Sequence, residues 1–163
     1  MKTVLLLRHA KSSWDNPALD DHERPLNKRG LKAAPRVGQL IADEGLKPDV
    51  IVSSTAVRAA TTAEVVAEEC GYDGEIHFMD DLYLAPPSTY LSLLSDLSEE
   101  YDSALLVGHN PGISELVFNM CRERVDMPTG ALAHAQSGTE SWREFGSESG
   151  ADLVNFWRPR ELD

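Results

Sequence analysis

At 163 residues, 42% apolar and 26% charged, the chain is long enough to bury one substantial core and too ordinary in composition for wholesale disorder. Its net charge of −12 argues against a nucleic-acid or anionic-membrane surface, both of which demand basic patches. No stretch approaches the roughly 20 apolar residues of a membrane span, and any anionic ligand would need a site that is locally basic against an acidic background.

In chain order, the apolar run from Thr3 to Leu7 reads as a buried strand that ends on Arg8-His9, a fixed cation beside an imidazole. A polar loop follows, Lys11 to Arg24, with Trp14, Pro17 and the acidic cluster Asp20, Asp21 and Glu23. Asn27 is the expected N-cap of a helix whose apolar positions Leu31, Ala34, Val37, Leu40 and Ile41 recur to about Glu44, where Gly45 stops it. Pro35 sits inside that pattern, so the helix either kinks there or begins its regular part nearby. Residues 49–54 form a second short strand, and a helix then runs from Thr55–Arg58 to about Cys70, closed by Gly71.

Residues 75–79 alternate like a third strand, and Ser88 is read as the cap of a helix carrying Tyr90, Leu91, Leu94 and Leu97. Ser103 to Val107 is a fourth strand, which Gly108-His109-Asn110-Pro111-Gly112 turns into a helix through about Cys121. Residues 129–137 and 151–157 read as two further strands, with 138–150 a polar connector. Strands alternating with helices mean βαβ units and a mostly parallel, about six-stranded sheet covered on both faces. The last two strands lack an intervening helix and are expected to form an antiparallel edge. Residues 1–163 are read as a single domain. Cys70 and Cys121 show no CxxC or Cys/His spacing and read as free buried thiols. With no signal-peptide pattern, a cytoplasmic location is the expectation.

Three strands therefore end alike: at Arg8-His9, at Ser53-Ser54 leading to Arg58, and at Gly108-His109. In a parallel sheet those carboxyl ends share one edge, where ligands bind in open α/β folds. Two guanidiniums offer planar forks for phosphate oxygens, and helix N-termini after Thr55 and Asn110 add N–H donors. The residues by themselves reach an oxyanion-binding pocket.

The motifs L-L-R-H-A-K at 6–11, S-S-T-A-V-R-A-A-T-T-A at 53–63 and V-G-H-N-P-G at 107–112 resemble those of the histidine phosphatase superfamily. Within it, R-P-L-N-K-R-G at 24–30 and D-L-Y-L-A at 81–85 resemble the small SixA-type phosphohistidine phosphatases. The resemblance covers the chain to about residue 120. It implies a phosphoglycerate mutase-like three-layer α/β/α sandwich. It also implies a metal-independent phosphatase, without cofactor, in which His9 is the nucleophile and forms a phosphohistidine intermediate. Arg8 and Arg58 would clamp the equatorial oxygens, and His109 would complete the phosphate pocket. The superfamily commonly uses an acid after the third strand; Asp81, with Asp80 beside it, is the candidate here, and Asp20, Asp21 and Glu23 lie in the loop after the nucleophile. Ala10 stands where the superfamily usually has glycine, a change that removes no functional group.

The expected substrate is phosphohistidine on a protein, met by a monomer, because little chain is left over for a lid. A small phosphate ester phosphatase or a mutase is the alternative, and a non-catalytic phospho-ligand binder is the rival of another class. Lys11, Ser12 and Ser13 could touch phosphate, while Arg24 could reach the pocket or pair with Asp20 or Asp21. His22, His77 and His134 read as structural. Trp14 and Trp142 could line a rim, although packing over the core is the commoner fate of tryptophan. A metal held by His9 and His109 is disfavoured, since two adjacent arginines would repel the ion.

Overall fold

The computed structural model describes residues 1–145 and 150–162. Its strands are β1 (Lys2–Arg8), β2 (Val50–Ser54), β3 (Ile76–Met79), β4 (Ser103–Gly108), β5 (Leu132–Ser137) and β6 (Asp152–Trp157). The helices are α1 (Lys28–Asp43), α2 (Val57–Cys70), α3 (Pro87–Ser95) and α4 (Gly112–Cys121). They build one six-stranded sheet in the order β3-β2-β4-β1-β5-β6. β1, β2, β3 and β4 pair in parallel, whereas β5 runs antiparallel to both β1 and β6, as the missing crossover helix requires.

β1 is a near-continuous apolar run because both of its faces are covered. Val4 and Leu6 point into a cluster with Tyr90, Leu94, Ile113 and Leu116 of α3 and α4. Leu5 and Leu7 point the other way, into a cluster with Val37, Ile41, Ala59 and Val66 of α1 and α2. This gives the three-layer α/β/α sandwich. Register positions the site: Arg8 lies opposite Gly108, and Ser53 opposite Val107, so β1, β2 and β4 finish in step at one edge. Among the described residues no helix is long and apolar enough to cross a membrane.

Local signals account for most boundaries. Asn27 caps α1 by accepting from Gly30 N at 2.9 Å, and Gly45 follows the helix at φ +68°. Gly30 has a second duty: a Cβ there would strike the Lys11 carbonyl, so glycine alone lets α1 lie against the loop after β1. Pro35 lies inside α1 without ending it.

Two expectations need correction. Leu31, read as part of the apolar face of α1, is 53% exposed, because Gly30 and Ala34 make the close contacts there. α3 starts at Pro87 with Pro86 as its cap, so Ser88 lies inside its first turn, and Leu97 falls beyond its end. β3 is the expected third strand, a short one at the sheet edge with Phe78 exposed. The connector at 138–150 holds a 3-10 turn at Trp142–Glu144, and Trp142 packs in the core, the commoner of the two fates weighed for it; residues 146–149 of that connector lie outside the described residues. Cys70 and Cys121 are free and buried.

Candidate active site

The strand ends deliver Arg8, His9, Arg58 and His109 to one cavity of about 250 Å³, shared with Lys11, Ser12, Trp14, Arg24, Leu84, Asn110 and Thr129. The His9 and His109 ring centroids stand 5.1 Å apart. His9 is only 5% exposed, and its Nδ1 lies 2.7 Å from the Ala10 carbonyl. A carbonyl can only accept, so Nδ1 carries the proton and Nε2 keeps its lone pair. Arg58 Nε donates to that Nε2 at 3.3 Å, which confirms the tautomer from the other side of the ring. Burial, chiefly, and then the neighbouring arginines push the His9 pKa down to about 4, despite the opposing Ala10 hydrogen bond. At neutral pH His9 is an uncharged imidazole with a fixed, directed lone pair.

His109 is held by its surroundings. Its backbone N–H donates to the Tyr90 hydroxyl at 3.3 Å, and Gly108 is obligatory because a Cβ would occupy that hydroxyl's place. Ser54 Oγ accepts from Ala56 N at 3.2 Å and pairs with His109 Nε2 at 2.8 Å. The other ring nitrogen, Nδ1, is buried without a hydrogen-bond partner among the described residues. Burial first, then His9 and Arg58, lower the His109 pKa to about 3. Arg8 donates from Nη1 to the Met127 carbonyl at 2.9 Å, and its buried Nε also lacks a partner. Two cavity-lining residues thus carry buried nitrogens without a partner, and the Arg8 and Arg58 guanidiniums beside them offer the forked donors that suit a tetrahedral oxyanion.

One residue matters more than sequence reasoning allowed. Asp21 is the hub of the loop after β1. Its carboxylate accepts from Arg58 Nη2 at 3.0 Å, from Arg24 Nη1 at 2.9 Å and from the Tyr83 hydroxyl, while its carbonyl accepts from Arg58 Nη1 at 2.6 Å. The Tyr83 hydrogen bond first, then the two arginines, hold its pKa well below the usual carboxylate range. Asp21 therefore aims Arg58 and remains ionised. The available signal was D-L-Y-L-A, whose Tyr83 crosses from another segment to meet it. Thr62 was also missed; it accepts from Ala10 N at 3.0 Å and donates to the Arg58 carbonyl at 2.7 Å, tying the turn after β1 to α2.

The other candidates are placed plainly. Arg24 does both things weighed for it, pairing with Asp21 and lining the cavity, with its guanidinium 3.2 Å from the Trp14 ring centroid. Trp14, 75% exposed, stands at the rim. Lys11 and Ser12 line the cavity, whereas Ser13 gives Arg24 Nε its backbone carbonyl at 3.0 Å. Leu84 reaches the cavity from a strained left-handed backbone, φ +52°. Asp81 is not brought to this cavity. It is exposed in the 3-10 turn Asp80–Leu82 and opens onto a separate depression with Met79, Ser88 and Asp96, while Asp80 accepts a hydrogen bond from Thr55 at 2.5 Å. The reason is local: the turn carries Leu82 into the core, which turns its neighbour Asp81 outward. His22 faces Thr55 and Tyr83 beside the site, and His134 stacks on Trp157 away from it. Among the described residues no group of three or more His, Cys, Asp and Glu is arranged to hold a metal.

The chain and its fold have counterparts among known proteins. The sequence profile of the Histidine phosphatase superfamily (branch 1) matches residues 4–83. A crystal structure of a candidate SixA phosphohistidine phosphatase from Agrobacterium tumefaciens is 32% identical, with a TM-score of 0.83, over 97% of this chain and 98% of that one. An uncharacterised chloroplastic protein of Arabidopsis thaliana is 31% identical over 158 residues, 91% of this chain and 72% of its own length. A 2,3-bisphosphoglycerate-dependent phosphoglycerate mutase of Thermobifida fusca is 38% identical, but over only 44% of this chain and 30% of the mutase.

Proposed function

The chain belongs to the histidine phosphatase superfamily, in its SixA-type branch, and from that premise we propose that it is a phosphatase acting through a phosphohistidine intermediate on His9, with phosphohistidine on a protein as substrate. His9 Nε2 attacks phosphorus in line with the substrate's P–N bond; that bond breaks, and the substrate imidazole departs with the electron pair. Arg8, Arg58 and His109 take the equatorial oxygens, whose charge is redistributed in the transition state. Water then attacks the phosphorylated His9, the new P–N bond breaks, and inorganic phosphate leaves. The guanidiniums supply the positive charge, and they would repel a metal ion placed between the two histidines.

The observation that carries the phosphohistidine reading is the composition of the cavity wall. Among the described residues lining it there is no carboxyl group, and Asp21 behind it is held ionised by two arginines. An alkyl phosphate ester needs a proton donor for its departing oxygen. A protonated phosphoimidazole leaves as a neutral imidazole and needs none. The shallow cavity, open to solvent beside the exposed Trp14, suits a side chain presented by a protein. It also gives water the access that a mutase would have to deny. Buried free Cys70 and Cys121 fit a reducing, cytoplasmic setting.

Turnover of phosphoramidate and a phosphohistidine peptide, compared with phosphoserine and phosphotyrosine peptides and a sugar phosphate, tests the reading. Acid-labile labelling of the wild type and preferential hydrolysis of the P–N substrates are expected. His9→Ala should abolish both while retaining tungstate binding. A wild-type protein that neither labels nor turns over a P–N donor refutes the proposal.

A further inference from the structure

A depression of about 580 Å³ is separate from the catalytic cavity but meets it at Lys11 and Thr129. Its wall holds Lys11, Arg29, Lys32, Arg36, Arg158 and Arg160, six of the chain's 15 Lys and Arg residues, on a protein of net charge −12. Among the described residues, one carboxylate, Asp126, joins them. Arg158 is offset by Glu161 at 3.5 Å, whereas among the described residues no ion pair engages Lys11, Arg29, Lys32 or Arg160.

This arrangement works against folding. Arg29, Lys32 and Arg36 share one face of α1, and Arg29 stands in a first turn that carries no acid, at the wrong end of the helix dipole. The C-terminal 3-10 turn, Pro159–Glu161, brings Arg160 to the same groove from the far end of the chain. Mutual repulsion of these charges is relieved when an anion lies among them. The wall contains no aromatic side chain, so a nucleotide base would find nothing to stack on, while carboxylates would find forks and ammonium groups.

We propose that this groove docks an acidic segment of the substrate protein, its Asp and Glu side chains flanking the phosphorylated residue that enters the catalytic cavity through the Lys11–Thr129 junction. The assignment rests on the phosphatase reading and adds a substrate class to it: phosphoproteins that are acidic beside the phosphoryl group. Docking through exposed charges acts on association and on KM, and weakens with salt.

The test compares wild type with Arg29→Glu/Lys32→Glu/Arg160→Glu on three substrates: phosphoramidate, and two phosphohistidine peptides with acidic or neutral flanks. Wild type should favour the acidic peptide by about tenfold in kcat/KM at low ionic strength, through KM, and lose most of that preference in 0.5 M salt, as expected for steering by exposed charge. The variant should lose the preference while hydrolysing phosphoramidate at the wild-type rate, which shows that it is folded and active. Failure of phosphoramidate turnover in the wild type would strike the phosphatase reading. Normal phosphoramidate turnover with no acidic preference, or with a preference that survives in the variant, would overturn the docking groove alone. Inhibition by tripolyphosphate that the variant abolishes while its peptide kinetics stay unchanged would overturn the acidic segment in favour of a small polyanion.

Discussion

Replacing Asp21 by Ala probes how the site is held together. The substitution removes the carboxylate that joins Arg58 at 3.0 Å, Arg24 at 2.9 Å and the Tyr83 hydroxyl, and leaves only the backbone carbonyl to hold Arg58. Both guanidiniums are almost wholly buried, at 5% and 7% side-chain exposure, but the carboxylate is 42% exposed. Each pair therefore lies between a surface bridge, worth under about 1 kcal/mol, and a buried pair whose broken partner costs about 3–5 kcal/mol. Allowing about 1 kcal/mol for each pair and about 1 kcal/mol for the tyrosine hydrogen bond, the variant should lose about 3 kcal/mol. For a chain of this size that lowers Tm by about 6–12 °C. Activity should suffer separately: with Arg58 no longer aimed, kcat on phosphoramidate should fall about 10- to 100-fold, and KM should change less because Arg8 and His109 still bind. Tungstate should raise Tm more in the variant than in wild type, since the anion supplies the charge the arginines have lost. Differential scanning calorimetry with and without tungstate, with steady-state kinetics, reads all three. A Tm within about 2 °C of wild type and an unchanged kcat would refute the account of Asp21 as the group that positions Arg58.

Acid should unfold the protein through the same site. The pKa values of His9 and His109 fall from 6.5 in the unfolded chain to about 4 and about 3 when folded, so between these limits the unfolded state binds more protons. Stability is complete above pH 6.5 and falls as pH drops towards 4 and 3, with His9 alone accounting for about 3 kcal/mol; in urea titrations His9→Asn should lose less between pH 7 and pH 4 than wild type. The kcat/KM of the wild type should fall only as pH approaches about 4, where His9 gains a proton, and an acid limb near pH 6.5 would contradict its buried, neutral state. Gly30→Ala drives a methyl group into the Lys11 carbonyl and should cost about 1–3 kcal/mol by denaturant titration, with an accompanying loss of activity because Lys11 lines the cavity. Burial keeps both thiols protonated, pushing Cys121 up to about 11, so a disulfide reagent should label neither Cys70 nor Cys121 until urea opens the fold.

What the amino-acid order determined by itself was local. The apolar run ending in Arg8-His9, the Asn27 cap, the Gly71 stop and the Gly108-His109 turn each carry their meaning within a few residues. Parallel pairing of β1, β2 and β4 then sends their polar ends to one edge whatever the details of packing. Arg8, His9, Arg58 and His109 were therefore legible as a group. Contacts between segments far apart in the chain were decided only by the tertiary structure. Asp21 was one acid among several in a polar loop until that loop crossed to Arg58, 37 residues on, and Tyr83, 62 residues on. Asp80 and Asp81 look equivalent in sequence, yet Asp80 accepts from Thr55 while Asp81, beside buried Leu82, opens onto a separate depression, and neither lines the cavity. The basic groove unites Arg29, Lys32 and Arg36 on one helix with Arg158 and Arg160 near the other end of the chain, on a protein whose total charge suggests the opposite sign. Propensities and caps act within a turn or two, whereas hydrogen bonds, burial and local potential depend on which distant residues the packed sheet and helices bring together.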